Sequence, residues 1–423
     1  MFTAHTLDNG IRLVLAPAND TKAVTVLAYV PLGSRYETLA LNGASHFIEH
    51  LMFKGTTRRP TTLHISRDLD RVGAEYNAFT GKDYTGYYIK VNAEHLDLAL
   101  DMLEDMLFHS TFAQVEFERE RKVILEEIHL YEDNPSMHLD DIFEGLLYRG
   151  HPLGRLISGT RETMLGITRP ALIAFRDRVY QPDRLVLTIA GAIGDHGMER
   201  VAETFGRVPA RKRRDIVRPR AFTTAPRGPI ARIHEKATTQ AHVTLGVPTF
   251  GAEDPRAYAL TLLANILGGT MSSRLFIAVR ERRGLAYSVR AGADAYTDAG
   301  ALVITAGLDP SRLTEAIRVI LREVVRFRDR GVTPEELSRA KENIEGRIIL
   351  GLEDSSSRAE WYGKQALLRK DIQTPEERIA RLMAVDRDAI STLAREIFRT
   401  NRLHLALLGA FTDAAKFKKM LHV

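Results

Sequence analysis

The alternation of hydrophobic and polar positions predicts that the first half of the chain resembles the second. Residues 23–33 (AVTVLAYVPLG) and 241–251 (AHVTLGVPTFG) both alternate like half-buried strands, and two valines and a proline match at an offset of 217 residues. Each strand is followed by a polar stretch and an apolar, helix-like segment ending in glycine, at 42–55 and 254–269. This pattern indicates a duplication, with chance similarity of two strand–helix units as the alternative.

A hairpin and long helices complete the predicted pattern of the first half. Residues 74–80 and 84–91 read as strands on either side of Gly81-Lys82-Asp83, which predicts an antiparallel hairpin. Apolar residues spaced three and four apart predict helices at about 93–109, 113–132 and 136–148. We therefore expect an α+β fold of two duplicated domains, each a mainly antiparallel sheet flanked by helices.

Length and charge predict where the two domains join. The chain has 423 residues, 44% of them hydrophobic, which exceeds the usual size of one domain. Residues 207–220 carry seven basic side chains and a single aspartate, and prolines lie in and around this segment. The pattern predicts a solvated linker at 208–229 between an N-terminal domain, 1–207, and a C-terminal domain, 230–423. No nucleic-acid partner is expected, because no aromatic residue or groove-reading motif interleaves the charges.

Cysteine usage and hydropathy narrow the chemistry and the location. The chain has no cysteine, which excludes a thiol nucleophile and disulfide bonds, so a zinc site would need imidazole and carboxylate ligands. The N-terminus lacks a basic stretch followed by an apolar core, and no apolar run approaches the ~20 residues of a membrane helix. These features predict a cytoplasmic protein without a membrane span.

The candidate chemistry lies in His46-Phe47-Ile48-Glu49-His50. In a helix, His46 and His50 lie one turn apart on the same face, with Glu49 beside them. Two imidazoles and a carboxylate suit zinc, which leaves one position for a water of lowered pKa whose proton Glu49 can accept. The order H-x-x-E-H is the inverse of H-E-x-x-H and matches the inverzincin motif. A surface helix with two unrelated histidines is the alternative, but the surrounding residues are apolar.

A third ligand is expected from the segment 118–128. Glu120 and Glu127 lie two turns apart on one helical stripe, with apolar residues between them. Carboxylates on an apolar stripe need a cation, which a nearby metal would supply. The alternative is that both glutamates pair with the neighbouring arginines and lysine on a solvated face.

These features resemble the pitrilysin family of zinc peptidases, close to the mitochondrial processing peptidase subunits and their bacterial relatives. The resemblance covers nearly the whole chain. The family's spacing after the second histidine selects Glu127 as the third zinc ligand, and its second acidic residue, which orients the site, falls on Glu120. The resemblance implies one Zn²⁺ per chain and a zinc metalloendopeptidase in which Glu49 activates a zinc-bound water.

The resemblance also implies substrate-binding residues outside the metal site. The family's substrate adds as a strand beside the metal, and the matching segment is Asn77-Ala78-Phe79-Thr80. In the second half, Arg280 and Tyr287 match an arginine–tyrosine pair that holds the substrate or the developing oxyanion. Without the family, the first segment is a strand with an exposed edge, and the arginine cluster would cap and solvate a helix end.

The second half does not repeat the metal motif, since the offset of 217 places Leu263 and Leu267 at the histidine positions. One active and one silent half is what the family shows, and its chains of this length pair so that four domains enclose a chamber. The resemblance implies a homodimer, or a heterodimer with a related chain, that cuts peptides or unstructured polypeptides inside the chamber. Two alternatives remain: a non-catalytic scaffold or partner subunit, and a metal-dependent hydrolase acting on something other than peptides.

Overall fold

The computed structural model describes residues 2–210, 219–223 and 225–423. Most of the basic segment on which the linker prediction rests, residues 211–218, lies outside the described residues. The strands are β1 (Thr3–Thr6), β2 (Arg12–Pro17), β3 (Ala23–Val30), β4 (Glu75–Thr80), β5 (Thr85–Asn92), β6 (Val186–Gly191), β7 (Ile230–Glu235), β8 (Ala241–Thr249), β9 (Ala286–Ala295), β10 (Gly300–Leu308) and β11 (His404–Gly409).

The α-helices lie before, between and after these strands. They are α1 (Ala44–Met52), α2 (Thr62–Asp70), α3 (Leu96–His109), α4 (Gln114–Asp133), α5 (Pro135–Leu147), α6 (Arg161–Gly166), α7 (Arg169–Val179), α8 (Gly197–Glu203), α9 (Ala257–Ala264), α10 (Leu313–Arg330), α11 (Pro334–Gly351), α12 (Ser355–Leu368), α13 (Pro375–Met383), α14 (Arg387–Ile397) and α15 (Ala414–Met420). None of the helices in the described part of the chain has the length and apolar character needed to cross a bilayer.

The chain divides into two compact units. The first contains the described residues of Met1–His129, Arg155–Arg220 and Ile349–Thr374, and the second those of Leu130–Gly154, Ala221–Ile348 and Pro375–Val423. Each unit therefore includes a helix from the other side of the predicted linker. In the first unit α12 packs on β3 and β6, and in the second unit α5 packs on β8 and β11. Hydropathy periods identify such helices but do not say which sheet they cover.

The two sheets have the same strand order, which confirms the predicted duplication of α+β domains. The first sheet runs β1-β2-β6-β3-β5-β4 and the second β7-β11-β8-β10-β9. In each sheet one pair, β2 with β6 or β7 with β11, is parallel, and the other pairs are antiparallel. Without β1, the two sheets therefore match strand for strand.

The predicted local elements form close to where the patterns place them. β4 and β5 pair as the antiparallel hairpin, with Phe79 opposite Gly86. The three predicted helices are α3, α4 and α5. The predicted helix at 254–269 is α9, which continues as a wider π-type turn at Asn265–Gly269, where Gly268 leaves helical backbone angles. The core of the first unit lies between the sheet and the apolar faces of α1 and α3.

A buried aspartate ties the loop after α1 to α3. Asp105, fully buried on α3, accepts hydrogen bonds from the Thr56 hydroxyl (2.7 Å), from Arg58 Nε (3.0 Å) and from Arg59 Nη1 (2.8 Å). One turn earlier Asp101 pairs with the same two arginines but is more exposed. Both carboxylates hold the loop that follows α1, but only Asp105 of the two is shielded from water.

We expect Asp105→Ala to lower the free energy of unfolding by about 1–3 kcal/mol, because it leaves the buried Thr56 hydroxyl and one N–H of Arg59 without their acceptor. The matched control, Asp101→Ala, removes a more solvated partner of the same arginines and should cost about 1 kcal/mol or less. Urea unfolding of both variants measures the difference. Equal decreases in the free energy of unfolding of the two variants would show that burial of Asp105 does not determine its contribution to stability.

Candidate metal centre

The N-terminus of α1 is fixed by a buried carboxylate that the sequence patterns did not single out. Glu37 accepts hydrogen bonds from the backbone N–H groups of Gly43 (2.8 Å) and Ser45 (2.7 Å). Burial raises the pKa of Glu37 to about 7, although these hydrogen bonds act in the opposite direction. Gly43 has a φ of 97°, and a Cβ there would lie 2.6 Å from the Ser158 carbonyl oxygen, so the turn into the helix requires glycine.

The apolar side of α1 fixes the direction in which its polar residues point. Four residues of this side have no exposed surface: Phe47, Ile48, Leu51 and Met52. The Phe47 ring stacks on Phe117 of α4, with centroids 4.8 Å apart and ring planes 13° from parallel. The period of 3.6 residues then leaves the motif's two histidines and glutamate on the other side of the helix. The stacked rings hold α1 against α4.

The structure brings His46, His50 and Glu127 together. Glu127 Oε2 lies 3.6 Å from Nε2 of His46 and 3.3 Å from Nε2 of His50. Each of the three residues offers a ligand atom, and these atoms all lie within 4.8 Å of one another. Glu126, the next residue on the helix, is exposed and does not belong to this group. Two imidazole nitrogens and one carboxylate oxygen are a donor set that zinc prefers.

Glu120 supports this group from the far side of His50. Its Oε2 accepts a hydrogen bond from His50 Nδ1 (3.1 Å), and its Oε1 lies 3.0 Å from Lys54 Nζ. Burial raises the pKa of Glu120, but the hydrogen bonds with His50 and Lys54 outweigh it and bring the pKa below its usual value. A carboxylate on the second ring nitrogen is the usual outer partner of a metal-binding imidazole. His46 differs, because its Nδ1 is buried without a hydrogen-bond partner among the described residues.

The charges around the two imidazoles fit a bound cation. Burial, followed by the neighbouring His50, lowers the pKa of His46 to about 4. Burial also acts to lower the pKa of His50, but hydrogen bonds to Glu120 and Glu127 raise it to about 9. The carboxylates thus favour positive charge between them, and a divalent cation would provide it in place of the His50 proton. The residues present therefore fit zinc.

Glu49 lies beside this group and is held by the hairpin. Its Oε2 accepts a hydrogen bond of 2.5 Å from the hydroxyl of Thr80, the last residue of β4. Burial raises the pKa of Glu49, and the hydrogen bond from Thr80 opposes that shift. A half-buried carboxylate whose pKa is raised is a better proton acceptor than an exposed one.

The predicted substrate strand is an edge strand, but one of its side chains is already packed. β4 ends the strand order of its sheet, so in the described chain one of its edges has no strand partner. Asn77 is exposed and its Oδ1 accepts the N–H of Ala78 (2.8 Å), while Ala78 is nearly buried. The Phe79 ring packs against Tyr29 and Tyr84, with centroids 5.9 and 6.2 Å away. Asn77 is therefore the most accessible side chain of this segment, whereas Phe79 is half-buried.

Arg280 and Tyr287 lie together within the second unit. The Arg280 guanidinium carbon is 5.7 Å from the centre of the Tyr287 ring and 4.8 Å from that of Phe276. Tyr287 is 77% exposed, so it is open to solvent. Between them the chain turns at Gly284, which has a φ of 56°. The seven-residue spacing thus presents both side chains on one surface.

The second unit has no counterpart of the metal group at the positions that the sequence offset indicates. Leu263 and Leu267 are fully buried in its core. Across residues 2–210, 219–223 and 225–423, the group formed by His46, His50 and Glu127 is the only one of its kind. Just after α9, a hydrogen bond of 2.9 Å joins Asn265 Nδ2 to Asn343 Oδ1 of α11.

Comparisons with known proteins agree with this division into a metal-bearing and a silent half. Residues 12–161 match the model of the family described as Insulinase (Peptidase family M16), and residues 166–344 match the Peptidase M16 inactive domain. A Bacillus subtilis (strain 168) protein named as an uncharacterized zinc protease is 38% identical over 97% of this chain and 98% of its own length. The chain belongs to the M16, or pitrilysin, family of peptidases.

Other relatives of this M16 chain extend the comparison. An uncharacterized zinc protease of Mycobacterium leprae (strain TN) is 35% identical over 99% of the chain and 94% of its own length. The crystal structure of a Helicobacter pylori protease superposes with a TM-score of 0.90 at 23% identity and covers 97% of this chain and 99% of that one. A Pseudomonas fluorescens structure described as a peptidase M16 inactive domain has a TM-score of 0.88 at 17% identity, with 97% and 98% covered. These structures confirm the duplicated α+β fold.

Three contacts of the M16 site were not predicted. Glu37 fixes the start of α1, Lys54 contacts Glu120, and Thr80 donates to Glu49. Lys54 lies one helical turn after His50, so its spacing offered a signal for a residue near the ligands. Neither of the other two contacts has a local signal, because each joins a loop or strand to the helix through tertiary packing.

Proposed function

We propose that this M16 chain is a zinc-dependent endopeptidase that hydrolyses peptides or unfolded polypeptide segments, with one zinc ion per chain held by His46, His50 and Glu127. The observation that carries the proposal is the convergence of two imidazole Nε2 atoms on one oxygen of Glu127, at 3.6 and 3.3 Å, beside Glu49. The names of the relatives, which are zinc proteases, support the choice of metal and reaction.

When bound, zinc supplies Lewis-acid chemistry, which polarises a peptide carbonyl and lowers the pKa of water. Glu49 accepts a proton from the water whose oxygen attacks the carbonyl carbon. It then passes that proton to the departing nitrogen as the C–N bond breaks, so the products are a carboxylic acid group and an amine. Glu120, which Lys54 contacts, keeps the His50 ring oriented throughout.

The proposed substrate-binding surface is the edge of β4 that has no strand partner among the described residues. An extended peptide can add to a sheet edge by backbone hydrogen bonds, and this requires a segment with no structure of its own. Such binding recognises mainly the peptide backbone. The exposed Asn77 offers an additional side-chain contact near the cleaved bond. We further propose that the working form is a homodimer, or a heterodimer with a related chain, that encloses the substrate.

Zinc analysis combined with a peptide library tests this function. The purified chain is expected to carry about one zinc ion and to cleave internal bonds of unstructured peptides. A chelator should abolish cleavage, and added zinc should restore it. Zinc-loaded protein that cleaves no peptide would contradict the proposal, and activity that appears only with a second M16 chain would favour the partner-subunit alternative. Hydrolysis of small esters but not of peptides would instead indicate a different hydrolase.

We also propose that Arg280 and Tyr287 bind the substrate carbonyl as it gains negative charge. Each is a hydrogen-bond donor, and loss of one such donor typically lowers the rate by about 10²–10³. Arg280→Ala and Tyr287→Phe are therefore expected to lower kcat/KM by such a factor while zinc content and melting temperature stay unchanged. Arg282→Ala, at an exposed arginine two residues away, is the control and should behave as wild type. Near-normal kinetics in both test variants would remove this role.

A further inference from the structure

The hydroxyl of Thr80 occupies a defined position between β4 and the proposed general base. Thr80 Oγ1 lies 2.5 Å from Glu49 Oε2 and 3.4 Å from the hydroxyl of Thr85, the residue opposite it on β5. Thr85 donates its own proton to the Leu32 carbonyl oxygen at 2.8 Å. A carboxylate can only accept, so the proton of Thr80 points to Glu49 and this contact has one direction.

The contact matters because the backbone of α1 leaves the end of the Glu49 side chain free to rotate. Packing of the apolar side of α1 fixes the helix, but three side-chain bonds still separate the carboxylate carbon from Cα. The hydrogen bond from Thr80 holds Oε2, and in the described chain the structure shows no other hydrogen bond to Glu49. Oε1 is therefore the oxygen left to take a proton from water. Misplacement of a reacting group by about 1 Å can cost about 10²-fold in rate.

β4 gives this contact a second consequence. Thr80 ends the edge strand on which, in the proposed function, an extended peptide pairs, and its hydroxyl reaches the base directly. Backbone hydrogen bonds along the strand would restrict the motion of its last residue. The position of Thr80, and through it the carboxylate of Glu49, then depends on whether the strand is occupied.

We propose that Thr80 is a positioning residue for Glu49 and that it couples occupancy of the β4 edge to the orientation of the base. The proposal rests on the proposed function, and it assigns to Thr80 an effect on kcat rather than on zinc binding or substrate affinity. Contacts between the β4 edge and parts of the peptide away from the cut would then align the Glu49 carboxylate, and not only increase substrate affinity.

Two substitutions separate the hydroxyl from the shape of the side chain. Thr80→Val keeps the shape but removes the donor, and Thr80→Ser keeps the donor but removes a methyl group. The matched control is Thr188→Val in β6 of the same sheet, because the buried hydroxyl of Thr188 has no hydrogen-bond partner in the part of the chain that the structure describes. Each variant is tested for zinc content, melting temperature, kcat and KM on a peptide that the wild type cleaves.

The proposal gives distinct expected values. Thr80→Val should keep about one zinc and a KM near that of wild type, while kcat falls about 10–100-fold, because Glu49 loses the hydrogen bond that orients its carboxylate. Thr80→Ser and Thr188→Val should retain most of kcat. The proposal is overturned by a wild-type kcat in Thr80→Val, by an equal loss in Thr80→Ser, or by a loss of zinc in Thr80→Val that accounts for the lost activity.

Peptide length tests the coupling. Two peptides share one cleavage site, and only the longer one can pair with all six residues of β4. In the wild type the extension should raise kcat, whereas in Thr80→Val it should lower KM alone. An equal gain in kcat in both proteins would overturn the coupling. Absence of any zinc-dependent cleavage by the wild type would instead reject the proposed function itself, so the two failures are distinguishable.

Discussion

Glu49→Gln is expected to lose peptide hydrolysis by about 10²–10⁴-fold while still binding about one zinc ion per chain. Glutamine has nearly the same shape, and its amide oxygen can still accept the hydrogen bond that Thr80 makes to Glu49. It cannot accept the proton that attacking water must lose, so the reaction is slowed and the metal ligands stay in place. Metal analysis and a peptidase assay on the same preparation measure both properties.

A suitable control is Glu126→Gln, which makes the same chemical change at an exposed position on α4. It should retain wild-type zinc content and kcat. If Glu49→Gln cleaves peptides at a rate near that of wild type, Glu49 is not the general base. If it loses zinc together with activity, its role is in building the metal site.

Glu127→Gln is expected to lower zinc affinity strongly and to remove the rise in melting temperature that zinc produces in the wild type. Glu127 Oε2 is the carboxylate oxygen that both imidazole Nε2 atoms face, and an amide oxygen carries no charge to balance the metal. Because a bound metal stabilises the folded state by RT ln(1 + c/Kd), where c is the free zinc concentration, the rise in melting temperature at a fixed zinc concentration reports zinc affinity without any assay of activity.

The neighbouring glutamates provide graded comparisons for this result. Residue 126 points about 100° away from residue 127 around the helix, so Glu126→Gln should leave zinc affinity unchanged. Glu120→Gln changes the outer partner of His50 and should weaken zinc binding or rate by about 10–100-fold. Zinc competition against a chelator ranks the three variants. A larger loss for Glu126→Gln than for Glu127→Gln would show that Glu126 is the ligand.

The elements that the sequence predicted could be found because the pattern of each lies within a short stretch of the chain. A period of two residues marked β3 and β8, and a period near 3.6 placed His46 and His50 on one face of α1. These periods arise from backbone geometry within a few residues, so they need no knowledge of the rest of the chain. The same holds for the hairpin of β4 and β5, because only three residues separate the two predicted strands.

Local patterns did not determine which residues from distant parts of the chain contact each other. The stripe on α4 left Glu120 and Glu127 as candidates, and the family resemblance supplied the choice between them. The packing of Phe47 on Phe117 then turns both glutamates toward His50, which is 70 residues from Glu120 in the chain. A hydropathy pattern specifies which face of a helix is buried but not the register in which two buried faces meet.

Side-chain contacts between elements depended on that register in the same way. Thr80 is 31 residues from Glu49, and nothing in the strand pattern distinguishes a hydroxyl that meets a base from one that faces water. The strand pattern likewise did not show that Phe79, a predicted substrate-binding residue, packs against Tyr29 and Tyr84, where Gly86 opposite it leaves room for the ring. Local sequence determines each element and its faces, whereas close packing of remote elements determines which atoms finally touch.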